Sequence, residues 1–484
     1  MADAPAFYSQ AGCFLSAVTS GIDPRTGLYT ANITLGKLIG NDLLGPTLPI
    51  SLSYSPLASL NAAVTTGFGN GVSLGMTMYD SHTDSGGFSR MTLSTGEQYV
   101  VLEQDDGLEI QQKKLDTVHV KKYSDRYEVL HKSGDVEILM GPSDMSMYKA
   151  PTRIINALGH GLDLQWNEDL EFPRLTSVTD DRQRTLLSVN YDDPDTPVLK
   201  FWPGQAEAFE VSLSLDSALL KGIEMRGPDK PLVWTLRFAP QGDGSWGNWL
   251  DQIVFPGGLT ETVMYYQDGT GAGFPDSAGL PVVPQAYQIT RDPVAGMPAM
   301  VVNYTYTDTG FLGAHSGVAW DQSQDSLLGT MTDYVYGSTE THSDGTTIDR
   351  TYNCYHLMSD EVVSNNGCQR SVHLDYYAVS GDSFDDQPAQ YQCVKTHTVT
   401  WKSPAGSRQE ITATEYNEYG NLISRTDPDG TKTTWEYYPA GGADGCPAEP
   451  NGFTRFVKSV TKTPYATSYK DTSAQTAVYQ YASV

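Results

Sequence analysis

Four Asp-Pro pairs, Asp23-Pro24, Asp193-Pro194, Asp292-Pro293 and Asp427-Pro428, invite a reading as cleavage points, and three lead on to a glycine at Gly27, Gly296 or Gly430. The same residue types are what a tight turn needs: Asp to bond the backbone, Pro to fix φ, Gly to accept positive φ. The turn is the simpler reading. Adjacent carboxylates stand at Asp105-Asp106, Asp180-Asp181, Asp192-Asp193 and Asp385-Asp386. Neighbours on a strand point to opposite faces, so none of these pairs forms an acid–base dyad there. Asp80-Ser81-His82-Thr83-Asp84-Ser85 offers oxygens to calcium but lacks the ligand count and distal Glu of a known loop. Cys354 and His356 would share a strand face, close enough for a thiolate pair, yet no flanking motif supports one.

Gly71-Val72-Ser73-Leu74-Gly75 has the letters of a nucleophile elbow without a helical start after the serine. Gly67 to Gly71 has no following helix or lysine to make a phosphate cradle. These residues predict no catalytic, cofactor or metal site, and a protein that is not an enzyme. Gly244-Ser245-Trp246-Gly247-Asn248-Trp249 is different. Two tryptophans in a glycine-rich loop could share a surface and stack on a sugar, which makes Trp246 and Trp249 the contacts of an alternative reading, a glycan-binding adhesin-type β module.

The elements around these residues read as strands. Period-two alternation marks Gln98 to Leu102, Thr117 to Val120, Tyr127 to Leu130 and Val136 to Leu139, with turn signals such as Ser94-Thr95-Gly96-Glu97 and Lys132-Ser133-Gly134-Asp135 between them. No helical period is sustained. A glycine recurs seven residues before an aromatic: Gly159 to Trp166, Gly258 to Tyr265, Gly345 to Tyr352 and Gly430 to Tyr437. That odd offset puts positions +1, +3, +5 and +7 on one strand face. An aromatic followed by Asn or Asp recurs at Trp166-Asn167, Tyr191-Asp192, Tyr352-Asn353 and Tyr416-Asn417, where the short side chain can start a turn. Leu175 to Asp180 and Leu422 to Asp427 both read Leu-x-x-x-Thr-Asp. The unit is strand, turn, strand, turn at a period of about twenty residues, the mark of a stacked β array.

With 58 acidic against 31 basic residues the net charge is −27, and no basic stripe is present to bind nucleic acid. Lys113, Lys114, Lys121 and Lys122 read as solvated strand edges. Five scattered cysteines show no CxxC spacing and no disulfide framework. No apolar run is long enough to span a membrane, and Met1 to Gln10 lacks the pattern of a cleavable signal.

Tyr416-Asn417-Glu418-Tyr419-Gly420-Asn421-Leu422, followed by Thr426-Asp427-Pro428-Asp429-Gly430, resembles the YD repeat of RHS-repeat proteins, with Asn417 in the Asp position. Gly21 to Tyr29, Leu48 to Leu57 and Leu93 to Glu97 resemble the start of bacterial RHS polymorphic toxins. The resemblance implies an all-β fold, with many short antiparallel strands in a YD-repeat array forming a curved or hollow shell. It implies a structural segment that encapsulates and helps deliver a toxic C-terminal domain. The partners would be that toxin or cargo, further shell repeats and a secretion apparatus, with neither nucleic acid nor a membrane span. It implies synthesis in the bacterial cytoplasm and export without a cleavable signal peptide. In that family an Asp-Pro-x-Gly context marks a self-cleavage region, but Asp427 to Gly430 lies inside a YD unit. The end at Tyr479 to Val484 reads as mid-strand, so an N-terminal portion, or a short family member lacking its cargo, is expected. The expected division is an N-terminal β region, 1–150, acting as cap or plug, and a divergent YD-repeat shell region, 151–484.

Overall fold

The computed structural model describes residues 20–483, apart from 60–66, 82–87, 142–145, 168–172, 228, 295, 331–332 and 466–472. The chain is all-β, as the alternation and turn spacing predict; among the described residues helix is confined to Pro56–Ser59 and a few 3-10 turns.

A small sheet comes first. Ser20–Ile22, Tyr29–Ile39, Thr47–Tyr54 and Val72–Ser73 pair antiparallel in that order. Tyr29, Ala31, Ile33 and Leu35 alternate into the core, then a register shift at Thr34/Gly36 brings Leu38 inward instead. A bulge of this kind adds one residue and switches which parity faces the core.

Next, a ring of strands runs from Met78–Asp80 to Tyr148–Ile155, each pairing with the one after it. Its weakest joint is a single bridge, Gly107 to Lys121. It closes because Tyr148 pairs with Asp80 and Lys149 with Tyr79. Tyr79, Met91, Tyr99, Val101, Val120, Val129 and Leu139 fill it as a separate core.

The strand Tyr148–Ile155 belongs to two structures. Its first residues close the ring, while Arg153 to Ile155 pair with Gly161–Trp166. The expected boundary at 150/151 therefore falls inside one strand. From here a ribbon of antiparallel strands follows chain order to Gln475–Val478, interrupted by one small hairpin of Gly271–Ala272 with Val283–Pro284. The long sheet is not a closed barrel: among the described residues its last strand pairs only with Val457–Thr463.

The register puts Leu164, Val178, Leu187, Phe201, Val211, Ile253, Val263, Ile289, Val302, Tyr336 and Tyr352 on one face of the ribbon. The N-terminal sheet covers this face, and both belong to one continuous core. Gly36 lies so close to Phe201 that a Cβ there would sit 2.6 Å from the ring. The ribbon then curls back to the ring. Lys132 Nζ donates to Tyr419 O at 2.7 Å and to Asn421 Oδ1 at 2.6 Å; Arg455 Nη1 donates to Ser133 O at 2.8 Å; His119 stacks on Phe453 at 4.3 Å. Among the described residues side chains, not a strand ladder, join this seam.

Candidate functional site

The repeat unit is built from one turn and one ring. Asn417 Oδ1 accepts the N–H groups of Tyr419 at 3.1 Å and Asn421 at 3.0 Å, while Gly420 N donates to Asn417 O at 2.9 Å. Gly420 has φ +73°, and a Cβ there would meet Leu115 at 2.8 Å. This is a three-residue hairpin loop with a left-handed last position. Asn353 makes the same bonds to Tyr355 and Leu357, with His356 in the left-handed position at φ 60°. Asp180 makes them to Arg182 and Arg184. Asp427 to Gly430 is a tight turn too, Gly430 N donating to Asp427 O at 2.8 Å and Asp427 N to Thr431 O at 2.9 Å. Asn167 N donates to Arg174 O, but the residues between them lie outside the described set.

The ring does what the ladder cannot. Tyr437 OH donates to Leu422 O at 3.0 Å; Ser424 is the nearest residue of that strand still paired with Tyr437's own strand. Trp166 Nε1 does the same to Pro151 O at 2.7 Å, Tyr265 OH to Leu250 O at 3.0 Å, and Tyr376 OH to Met358 O at 2.7 Å. Tyr191 and Tyr306 bond Leu175 O and Ala286 O likewise. Each accepting carbonyl lies two residues outside the ladder joining the two strands. A buried carbonyl needs a donor, and the aromatic supplies it where the strands part. Register shifts fall at Trp166, Tyr265, Tyr352, Tyr376, Tyr416 and Tyr437, so a bulge aims most of these rings. Burial raises the hydroxyls of Tyr265 and Tyr306 far above the usual phenol range, and lifts Tyr376 to about 12. The sequence carries the ring positions, but not the carbonyl that each one reaches.

Polar anchors hold the N-terminal sheet on the ribbon. Tyr29 OH donates to Glu261 Oε1 at 2.5 Å, and Arg291 Nε to Glu261 Oε2 at 2.6 Å. Asn41 N donates to Asp180 Oδ2 at 3.0 Å, and Asn41 Nδ2 to Gly161 O at 3.1 Å. Leu250 N donates to Tyr54 OH, and Ala286 N to Gly27 O. Burial alone would raise the Asp180 carboxyl, but the Arg184 guanidinium and the N–H groups of Asn41 and Arg184 hold it below its usual value. Asp181 pairs instead with Arg153 at 2.6 Å, so the two adjacent carboxylates serve different partners.

The residues that could have done chemistry are used in packing. Burial pushes the Cys354 thiol up to about 11, which keeps it protonated. His356 bonds Tyr336 OH through Nδ1 and Asp325 Oδ2 through Nε2, both at 2.8 Å, in a core site with His356 fully buried. This cluster is not legible in the local pattern, because Asp325 comes from a loop 31 residues earlier in the chain. Ser73 ends a short strand paired with Ser53. Of the calcium candidate, His82 to Ser85 lie outside the described residues. Among the described residues no group of three or more His, Cys, Asp and Glu is arranged to hold a metal.

Trp246 and Trp249 correct an expectation. They are 3% and 0% exposed, 6.5 Å apart, with Trp249 edge-on to Tyr265. The turn Gly242–Gly244 folds the segment back, so both indoles enter the core and neither offers a face to a sugar.

The profile of the RHS Repeat family matches residues 416–442, the stretch with the turn and ring of Tyr416 to Tyr437. Residues 416–442 are an RHS repeat. No curated protein sequence matches the chain. It is similar to the Photorhabdus luminescens Tc holotoxin pore structure with a mutated TccC3, at 10% identity, TM-score 0.32, over 94% of this chain and 25% of that one. It is similar to a crystal structure of TcdB2-TccC3 at 9% identity, TM-score 0.15, over 98% of this chain and 30% of that one. These scores are too low to carry an inference. The chain spans under a third of the length of either, and its RHS character rests on the repeat itself.

Proposed function

We propose that this RHS-repeat protein is a wall segment of a shell that encloses a toxic C-terminal domain and helps deliver it. The observation that supports this best is the long ribbon, which satisfies its backbone strand by strand while curving back to the ring that precedes it. A wall of that kind separates two spaces without depending on a thick core. On this reading the protein has no catalytic task. Its partners are the cargo, further shell repeats and a secretion apparatus, and it is made in the bacterial cytoplasm and exported without a cleavable signal peptide. The test is to append a small trypsin-sensitive domain after Val484 and follow its digestion. Enclosure predicts cleavage at least tenfold slower than for the free domain. Equal rates would remove the encapsulation reading.

A further inference from the structure

Trp401 is 37% exposed, on the same ribbon face that buries Tyr336 and Tyr352 further back. Its cross-strand neighbours are Arg370 on one side and Arg408 on the other, and Arg370 in turn faces Val363. These four residues line a cleft of about 660 Å³ between two hairpin ends. That volume lies within the usual range for small-molecule sites of roughly 300–1,000 Å³. The Arg408 guanidinium sits 5.7 Å from the centre of the Trp401 ring, and Arg370 Nη1 lies 3.3 Å from Glu361. Glu361 is shared, because Arg350 Nε also bonds it at 2.9 Å. Arg350 has a second carboxylate in Glu340, and the Arg370–Glu361 pair, at 3.3 Å with Arg370 44% exposed at its side chain, is a loose one.

We propose that this cleft binds a carboxylated sugar, one ring stacked on Trp401 and its carboxylate held by Arg370 and Arg408. A sugar needs one aromatic face for its C–H groups, and Trp401 offers one. Guanidinium forks match carboxylate geometry. The net charge of −27 disfavours long polyanions such as nucleic acid, whereas a short sugar acid meets mainly the local cations. Arg408 is paired with Glu410 but is 74% exposed at its side chain, and an exposed pair of this kind is weak enough for a ligand carboxylate to replace.

The experiment is calorimetric titration of the full chain with an oligogalacturonate, with the neutral galactose oligomer of equal length, and with ATP. Saturable oligogalacturonate binding is expected, at least tenfold tighter than either competitor. Trp401→Ala should abolish it, and Arg370→Gln and Arg408→Gln should each weaken it severalfold. Trp401→Phe, which keeps a stacking ring, should retain most of it and guards against misfolding. No oligogalacturonate binding, binding that survives Trp401→Ala, equal binding of the neutral oligomer, or tighter ATP binding would each overturn the proposal.

Discussion

The ribbon from Gly161 to Asn353 and the ribbon from Met358 to Val478 use the same hairpins, but only the first is covered. In the covered stretch Leu187, Phe201, Val211 and Ile253 are all fully buried on the face beneath the N-terminal sheet. In the bare stretch the same face carries Val372 and Val399, nearly buried, then Trp401, Arg408 and Arg425, exposed. The opposite face there is a run of hydroxyls, with Thr398, Thr400, Ser407, Thr461 and Thr476 on neighbouring strands. One part of the wall is held by apolar burial. The other relies on its ladder, its Asx turns and the rings that bond carbonyls beyond the ladder. A ribbon of this design does not need a core along its whole length.

The sharpest way to break the comparison is to remove apolar volume from each part. Phe201→Ala should cost about 3–5 kcal/mol, read from the urea midpoint, whereas Val399→Ala should cost roughly 1 kcal/mol or less. Similar losses would mean that the bare stretch has a core of its own. A second effect concerns acid. The Asp180 carboxyl is held below its ordinary value, so its contribution is fully present above that ordinary value and is lost as pH falls through the lowered one. The protection of amides around Leu38 to Leu44, taken relative to their intrinsic exchange at each pH, should fall on acidification, and in Asp180→Asn it should be low at every pH. An unchanged acid response in Asp180→Asn would place the anchor elsewhere.

Smaller effects test the ring and the turn. Tyr437→Phe leaves Leu422 O without its donor and should cost about 1 kcal/mol. Asn417→Ala should cost a similar amount by removing the acceptor of two N–H groups. The double variant should lose close to the sum, because the two groups serve opposite ends of the unit. The smallest effect belongs to the seam: Lys132→Ala should lower stability by under about 1 kcal/mol, as expected of a half-exposed contact.

Much of this was legible. Period two, the turn glycines and the aromatic–Asn pairs mark the strands and the hairpin at Asn417 directly, because those signals are local. What depends on contact between distant segments was not. Trp246 and Trp249 look like loop aromatics until the N-terminal sheet and Tyr265 surround them. Trp401 looks like any strand aromatic until its place beyond the N-terminal sheet leaves it partly exposed. The strand Tyr148–Ile155 gives no sign in its residues that it serves both ring and ribbon. The bulges at Tyr265 and Tyr376 are equally silent, since one extra residue in a strand leaves the alternation nearly intact.

The measurement that tests the account most directly is hydrogen exchange by mass spectrometry on the full chain at neutral pH. The account predicts that amides in Val198–Phe201 and Asn248–Val254 exchange at least a hundredfold more slowly than those in Val394–Ser403 and Gly406–Tyr416. Equal protection across the two stretches, or slower exchange in the second, would contradict a wall that is cored at one end and bare at the other.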